Sequence, residues 1–198
     1  MTTYRSLDHQ LNFLIEVDKL KQIFRNTILM DKSRKENDAE HTWHMTLAAM
    51  TLCGYSNDQA IDMLKVIKMV IIHDIVEIDA GDVFAYGNIT LSEKAIKEKK
   101  AAKRIFGLLP DGQYKDFLEL WNEFEEGASS EAKFAQALDC FMPILHNYRT
   151  QGLQWQKLNV TSEMVLNRNK KIELGSKRLW QYIESIVSDA VEKNYLMK

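Results

Sequence analysis

Residues 61–82 read IDMLKVIKMVIIHDIVEIDAGD, and the fold turns on how they are read. The first half is apolar nearly all round: Ile61, Met63, Leu64, Val66, Ile67, Met69, Val70, Ile71 and Ile72. A helix with no polar face is a buried helix. Without a turn signal come His73 and Asp74, then Glu77, Asp79 and Asp82. An imidazole and several carboxylates at the end of a core helix are costly unless something pairs them. A divalent cation is the simplest partner for all of them. A His–Asp hydrogen bond capping the helix is the plainer alternative.

The flanking sequence is helical in the same way. Only two prolines, Pro110 and Pro143, interrupt 198 residues, glycine is sparse, and no strand-like alternation is visible. The pattern predicts one all-α domain over residues 1–198, with the C-terminal helices packed on the core. Helices are expected over 6–27, 39–53, 92–106, 113–126 and 131–148, with a short one after Thr161 and a last one ending near 194. Ser56 or Asn57 is the expected N-cap of the central helix. Lys94, Lys97, Glu98, Lys99, Lys100 and Lys103 read as a solvated helix face.

Composition narrows the function. Apolar residues make up 45% of the chain, enough for a sizeable core, and the net charge of -2 gives no electrostatic case for nucleic acid or a membrane surface. No apolar run reaches the ~18 residues of a membrane span, and the N-terminal MTTYRSLDHQL has no signal-like apolar stretch. Cys53 and Cys140 lie far apart in apolar surroundings, as thiols do in a reducing compartment. A cytoplasmic protein is expected.

Two further stretches repeat the anomaly of His73 and Asp74. In the helix over 131–148, Phe134, Leu138, Phe141 and Leu145 form an apolar stripe, and Asp139 lies beside it between Leu138 and Cys140. Such a carboxylate needs a cation or hydrogen-bond donors. In EHTWH, residues 40–44, His41 and His44 share a helix face. Each stretch alone has an ordinary structural reading. Together, His41, His73, Asp74 and Asp139 offer two imidazole nitrogens and two carboxylates from three helical segments. That donor set suits one borderline-to-hard divalent ion: Mn, Co, Mg, Fe or Zn. A second ion would need extra ligands, and His44, Glu77 and Asp82 are the local candidates, so one ion is the simpler count.

The stretches SRKENDAEHTWHM, IIHDIVEIDAGD and FAQALDC resemble the HD-domain metal-dependent phosphohydrolases, and within them the HD proteins related to the bacterial 5′-deoxynucleotidases. The resemblance runs from about residue 11 to at least 147, and its EN-x-x-EH and HD-x-x-E-x-x-x-x-GD patterns are specific. It implies an HD-type helical bundle, release of phosphate from (deoxy)ribonucleoside 5′-monophosphates, and metal ligands at His41, His73, Asp74 and Asp139. It implies that Glu77 and Asp82 are catalytic. Arg25 falls near the place where these enzymes present an arginine to the nucleotide. Arg25 or Arg34 could hold the phosphate by a two-pronged contact. A homodimer is also expected, since relatives commonly pair. The competing readings are an HD phosphodiesterase or triphosphohydrolase, and a non-catalytic protein whose metal only staples helices.

Overall fold

A computed structural model of the chain describes residues 2–81 and 91–198. Asp82 and the start of the loop after it therefore lie outside the described residues. Helix α1, Thr2–Val17, runs into a tight 3-10 turn at Asp18–Gln22. A two-stranded antiparallel ribbon follows, β1 (Phe24–Ile28) with β2 (Lys35–Asn37), pairing Phe24 with Asn37 and Ile28 with Lys35. The helix expected over 6–27 thus ends early, and Arg25 stands on a strand. The ribbon is short and irregular, so its sequences, FRNTI and KEN, carry no alternation to read. Pairing across the turn is what makes them strands.

Helix α2, Asp38–Leu52, starts where the ribbon stops. Asn37 accepts from Glu40 N (2.9 Å), and the Glu40 carboxylate accepts from Asn37 N (3.2 Å). This reciprocal capping box satisfies two otherwise orphan donors and fixes the helix entry one residue before the first turn that carries His41. Helix α3, Met63–Ile72, is capped by Asp62, whose side chain accepts from Leu64 N (2.9 Å) and Lys65 N (3.2 Å). The cap lies five or six residues beyond Ser56 and Asn57. Nor is α3 buried all round: Val66, Met69, Val70 and Ile72 are buried, but Leu64 and Ile71 are exposed.

After Ile72 the chain tightens into a 3-10 turn, His73–Val76, and reopens as α4, Glu77–Ala80. Helix α5 is Leu91–Phe106 and α6 is Asp111–Glu126. Helix α7, Ser130–Arg149, holds Pro143 within it. Short helices α8 (Leu153–Lys157), α9 (Ser162–Asn169) and α10 (Ile172–Gly175) lead to α11, Lys177–Glu192.

Two apolar clusters hold these elements together. The first joins Met45 of α2, Val66, Met69 and Val70 of α3, Phe134, Leu138 and Phe141 of α7, and Trp180, Ile183 and Val187 of α11. The second joins Phe13 of α1, Ile72, Ile75 and Val76, Ala102, Ile105 and Phe106 of α5, and Trp121 of α6. Burying each large apolar side chain contributes about 1.5–3 kcal/mol. Where α10 meets α7, Gly175 is indispensable. A Cβ there would stand 2.2 Å from Lys133 O and 2.7 Å from the Ala137 Cβ. Gly175→Ala is expected to destabilise the protein by about 1–3 kcal/mol through overpacking. Thermal unfolding would show this as a Tm lowered by several degrees; an unchanged Tm would mean the two helices part without cost.

Candidate active site

The helix-to-3-10 change at His73 faces α2 and α7, and three side chains converge there. His41 Nε2 lies 3.3 Å from Asp139 Oδ1, and His73 Nε2 lies 3.9 Å from the same oxygen. Donor atoms of His41, His73 and Asp139 all fall within 4.8 Å of one another. Ligands held at 2.0–2.1 Å around a tetrahedral ion would be roughly 3.3 Å apart, so small side-chain adjustments close the trio on a cation.

Each imidazole is oriented for this from behind. His73 donates from Nδ1 to Val70 O at 2.7 Å, which leaves the Nε2 lone pair facing the site. That Nε2 is buried and has no hydrogen-bond partner. His41 has its Nδ1 3.7 Å from Glu36 Oε2, a carboxylate behind the ring. Burial, aided by the Arg25 charge, pushes the His41 imidazole down to about 4, so it is neutral, the ligand form. Burial also works against a charge on His73, but the carboxylates of Asp74 and Asp139 outweigh it and raise that imidazole to about 9. The field at His73 Nε2 favours positive charge, as a metal site requires.

Asp74 stands beside the trio. Its Oδ1 is 3.1 Å from His73 Nε2, while its Oδ2 accepts from Arg25 Nη1 at 2.8 Å. Arg25 also donates to Asp38 Oδ1 at 3.3 Å and lies 3.9 Å from Asp139 Oδ1. Desolvation opposes the guanidinium charge, yet Asp74 and its other acidic neighbours hold it firmly ionised. For Asp74 and Asp139 desolvation opposes ionisation too, but their neighbours keep both carboxyls well below the usual range, the His73 charge foremost at Asp74 and the His41 hydrogen bond foremost at Asp139. Arg25 Nε is buried without an acceptor.

Arg25, His73, Asp74 and Asp139 form part of the wall of a cavity of about 190 Å³. Glu77 lines it as well, brought inward at the first residue of α4 although the α-helix does not run unbroken from Asp74. Asp79, by contrast, turns outward to an ion pair with Arg104. Trp155, Leu158 and Val160 give the cavity an apolar wall, and Asn26, Asn147, Gln154 and Asn169 add polar edges.

The structure does not bring Arg34 to this cavity. Arg34 sits in the ribbon turn with half its side chain exposed, forked onto Glu40 at 2.8 and 2.6 Å. Besides Arg25, the cations lining the cavity are Arg168 and Lys94, and Lys94 Nζ is 3.1 Å from Glu98 Oε1. Burial weakens its charge, but Glu98 and Glu77 outweigh that and keep it protonated. Glu98, which is buried, and Lys94, which reaches the cavity, depart from the solvated face expected for α5. The only hint was their spacing, a pattern equally common on exposed helices. Glu36 was equally silent: it belongs to the EN-x-x-EH stretch, yet only the ribbon shows that it points behind His41.

The HD domain family model matches residues 17–180 of the chain. The 5′-deoxynucleotidase HDDC2 of Homo sapiens is 33% identical over 145 residues, 73% of this chain and 69% of that protein. The 5′-deoxynucleotidase HDDC2 of Danio rerio is 30% identical over 149 residues, 75% of this chain and 72% of that protein. A solved structure described as a predicted metal-dependent phosphohydrolase, from Magnetospirillum magnetotacticum MS-1, is similar throughout. Its TM-score is 0.92 at 45% identity, over 98% of this chain and 100% of that one.

Proposed function

The chain belongs to the HD-domain family, and from that premise we propose that it is a metal-dependent 5′-nucleotidase releasing phosphate from (deoxy)ribonucleoside 5′-monophosphates. The observation that carries this reading is the convergence of His41, His73 and Asp139 at a cavity that also holds Arg25, Lys94 and Glu77. His41, His73, Asp74 and Asp139 would hold one divalent ion. When bound, such an ion supplies charge stabilisation at the phosphoryl oxygens and an acidified water.

The chain's own groups do the rest. Arg25 is held rigid by Asp38 and Asp74, and its unpaired Nε–H is a donor for a phosphate oxygen. Lys94 and Arg168 add further positive charge to the cavity wall. Glu77, buried and on the cavity wall, moves a proton between water and the leaving 5′ oxygen, with Asp82 sharing the task. Trp155 offers a flat apolar face to a base or sugar, and the amides of Asn147, Gln154 and Asn169 offer polar contacts at its edges.

Phosphate release should be measured from all ribo- and deoxyribonucleoside monophosphates with Mn, Co, Mg, Fe and Zn in turn. Release from 5′-monophosphates with at least one metal is expected. No release from any of them, or hydrolysis only of diesters or triphosphates, would overturn the reading.

A homodimer and a cytoplasmic, reducing location complete the proposal. Helix α11 spends its apolar face on the core, with Leu179, Trp180, Ile183, Ile186 and Val187 buried. The outer face of α2 instead leaves Trp43, Leu47 and Met50 exposed at helical spacing, a surface a second copy would cover. Cys53 and Cys140 are free thiols, and among the described residues no helix is long and apolar enough to cross a membrane.

A further inference from the structure

Behind His41 lies a second convergence that the nucleotidase reading does not use. Glu36 of β2, His44 of α2 and His146 of α7 bring one donor atom each within 4.8 Å of the others. His146 Nε2 is 3.4 Å from His44 Nδ1 and 3.7 Å from Glu36 Oε1. We propose that Glu36, His44 and His146 form a second metal site, built for a divalent ion of zinc type.

Three observations carry this. The His146–His44 separation matches the roughly 3.3 Å edge of a tetrahedral ion with 2.0–2.1 Å bonds. His146 donates from Nδ1 to Ile28 O at 3.1 Å, which fixes its tautomer and leaves the Nε2 lone pair facing the other two donors, the same arrangement that a backbone carbonyl imposes on His73. Glu36 is 2% exposed; its Oε1 faces His146 Nε2 at 3.7 Å, while its Oε2, on the His41 side, is buried with no hydrogen-bond partner. A carboxylate so placed calls for a cation. The plain alternative, a hydrogen bond from His44 to His146, satisfies the imidazoles and leaves the Glu36 carboxylate with imidazole nitrogens no closer than 3.7 Å.

The donor set, two imidazoles and one carboxylate, is borderline rather than hard, which selects zinc over magnesium or calcium. His44 is only half-buried, so water can complete the coordination from its side. The ion would tie β2 to α2 and α7. It would also keep Glu36 ionised, and Glu36 Oε2 lies 3.7 Å from His41 Nδ1. A charged Glu36 strengthens His41 as a ligand. This link to His41 rests on the proposed nucleotidase site; the zinc count at His44 does not.

The test counts metal, not turnover. The full chain is stripped with a chelator, dialysed against zinc, and assayed by elemental analysis, with circular dichroism to verify folding. His44→Ala is expected to hold one zinc fewer than wild type, Asp139→Ala one fewer at the other site, and the double variant two fewer. The visible absorption of cobalt-substituted protein should lose a distinct component in His44→Ala. His44→Gln, which keeps bulk and polarity, takes its place if the alanine variant does not fold. Equal zinc content in wild type and the folded His44 variant overturns the proposal. Loss of zinc in Asp139→Ala but not at His44 leaves the first site standing and removes the second.

Discussion

Asp139→Ala is expected to leave a folded protein that releases phosphate at least ~10³-fold more slowly and has lost its tightly held ion. The side chain is the common neighbour of the site: its Oδ1 is 3.3 Å from His41 Nε2, 3.9 Å from His73 Nε2 and 3.9 Å from Arg25 Nη2. Removing it takes one of the two anionic donors from the proposed four-residue set and leaves two imidazoles and Asp74, a weaker chelate for a hard or borderline ion. Charge stabilisation by a metal is worth several kcal/mol at the transition state, and each ~1.4 kcal/mol is a factor of ten in rate. Helix α7 itself should survive, since Phe134, Leu138 and Phe141 anchor it in the apolar cluster. Elemental analysis and single-turnover assays on the same preparation decide the matter. Full metal content with unchanged kcat would show that Asp139 only balances the Arg25 charge and hydrogen-bonds His41.

Glu77→Gln is expected to lower kcat by about 10²–10⁴-fold, the usual range for a positioned acid–base group, with KM little changed. The amide keeps the size and hydrogen-bonding reach of the carboxyl but cannot take up or deliver a proton. Glu77 is buried and lines the cavity shared with Asp74 and Asp139, and the 3-10 turn at His73–Val76 carries it to the mouth of α4. The ion held at His41, His73 and Asp139 should remain bound. A loss of that ion with Glu77→Gln would make Glu77 a ligand, and an unchanged kcat would leave it as a structural acid at the start of α4.

The candidate site was legible because apolar periodicity was interrupted where it should not be. His73 and Asp74 follow nine apolar positions, and Asp139 breaks an apolar stripe, so each stood out against its own helix. The capping of α9 at Thr161 was legible for a similarly local reason, as Thr accepts from the helix N-terminus. What local pattern does not encode was missed. The ribbon is defined by hydrogen bonds across a turn in which Lys32 takes φ 66°, and nothing in FRNTI announces a strand. Lys94 and Glu36 became visible only when helix packing and the ribbon placed them. The exposure of Leu64 and Ile71 was equally hidden, because hydrophobicity sets what can be buried and packing sets what is.

The passage of one helix between two apolar clusters also has a consequence for how the protein breathes. Val66, Met69 and Val70 belong to the first cluster; Ile72, Ile75 and Val76 belong to the second, with α5 and Trp121. His73 and Asp74 sit at the changeover. Proteins open in cooperative units that follow such clusters, and amide hydrogen exchange reads those openings one by one. His41 and Asp139 are rooted in the first unit, Glu77 in the second. An excursion of the second unit alone would withdraw Glu77, the proposed proton-transfer group, while His41 and Asp139 stayed in place, so exchange at 101–106 should be faster than at 66–70 and should slow when a nucleotide bridges the two.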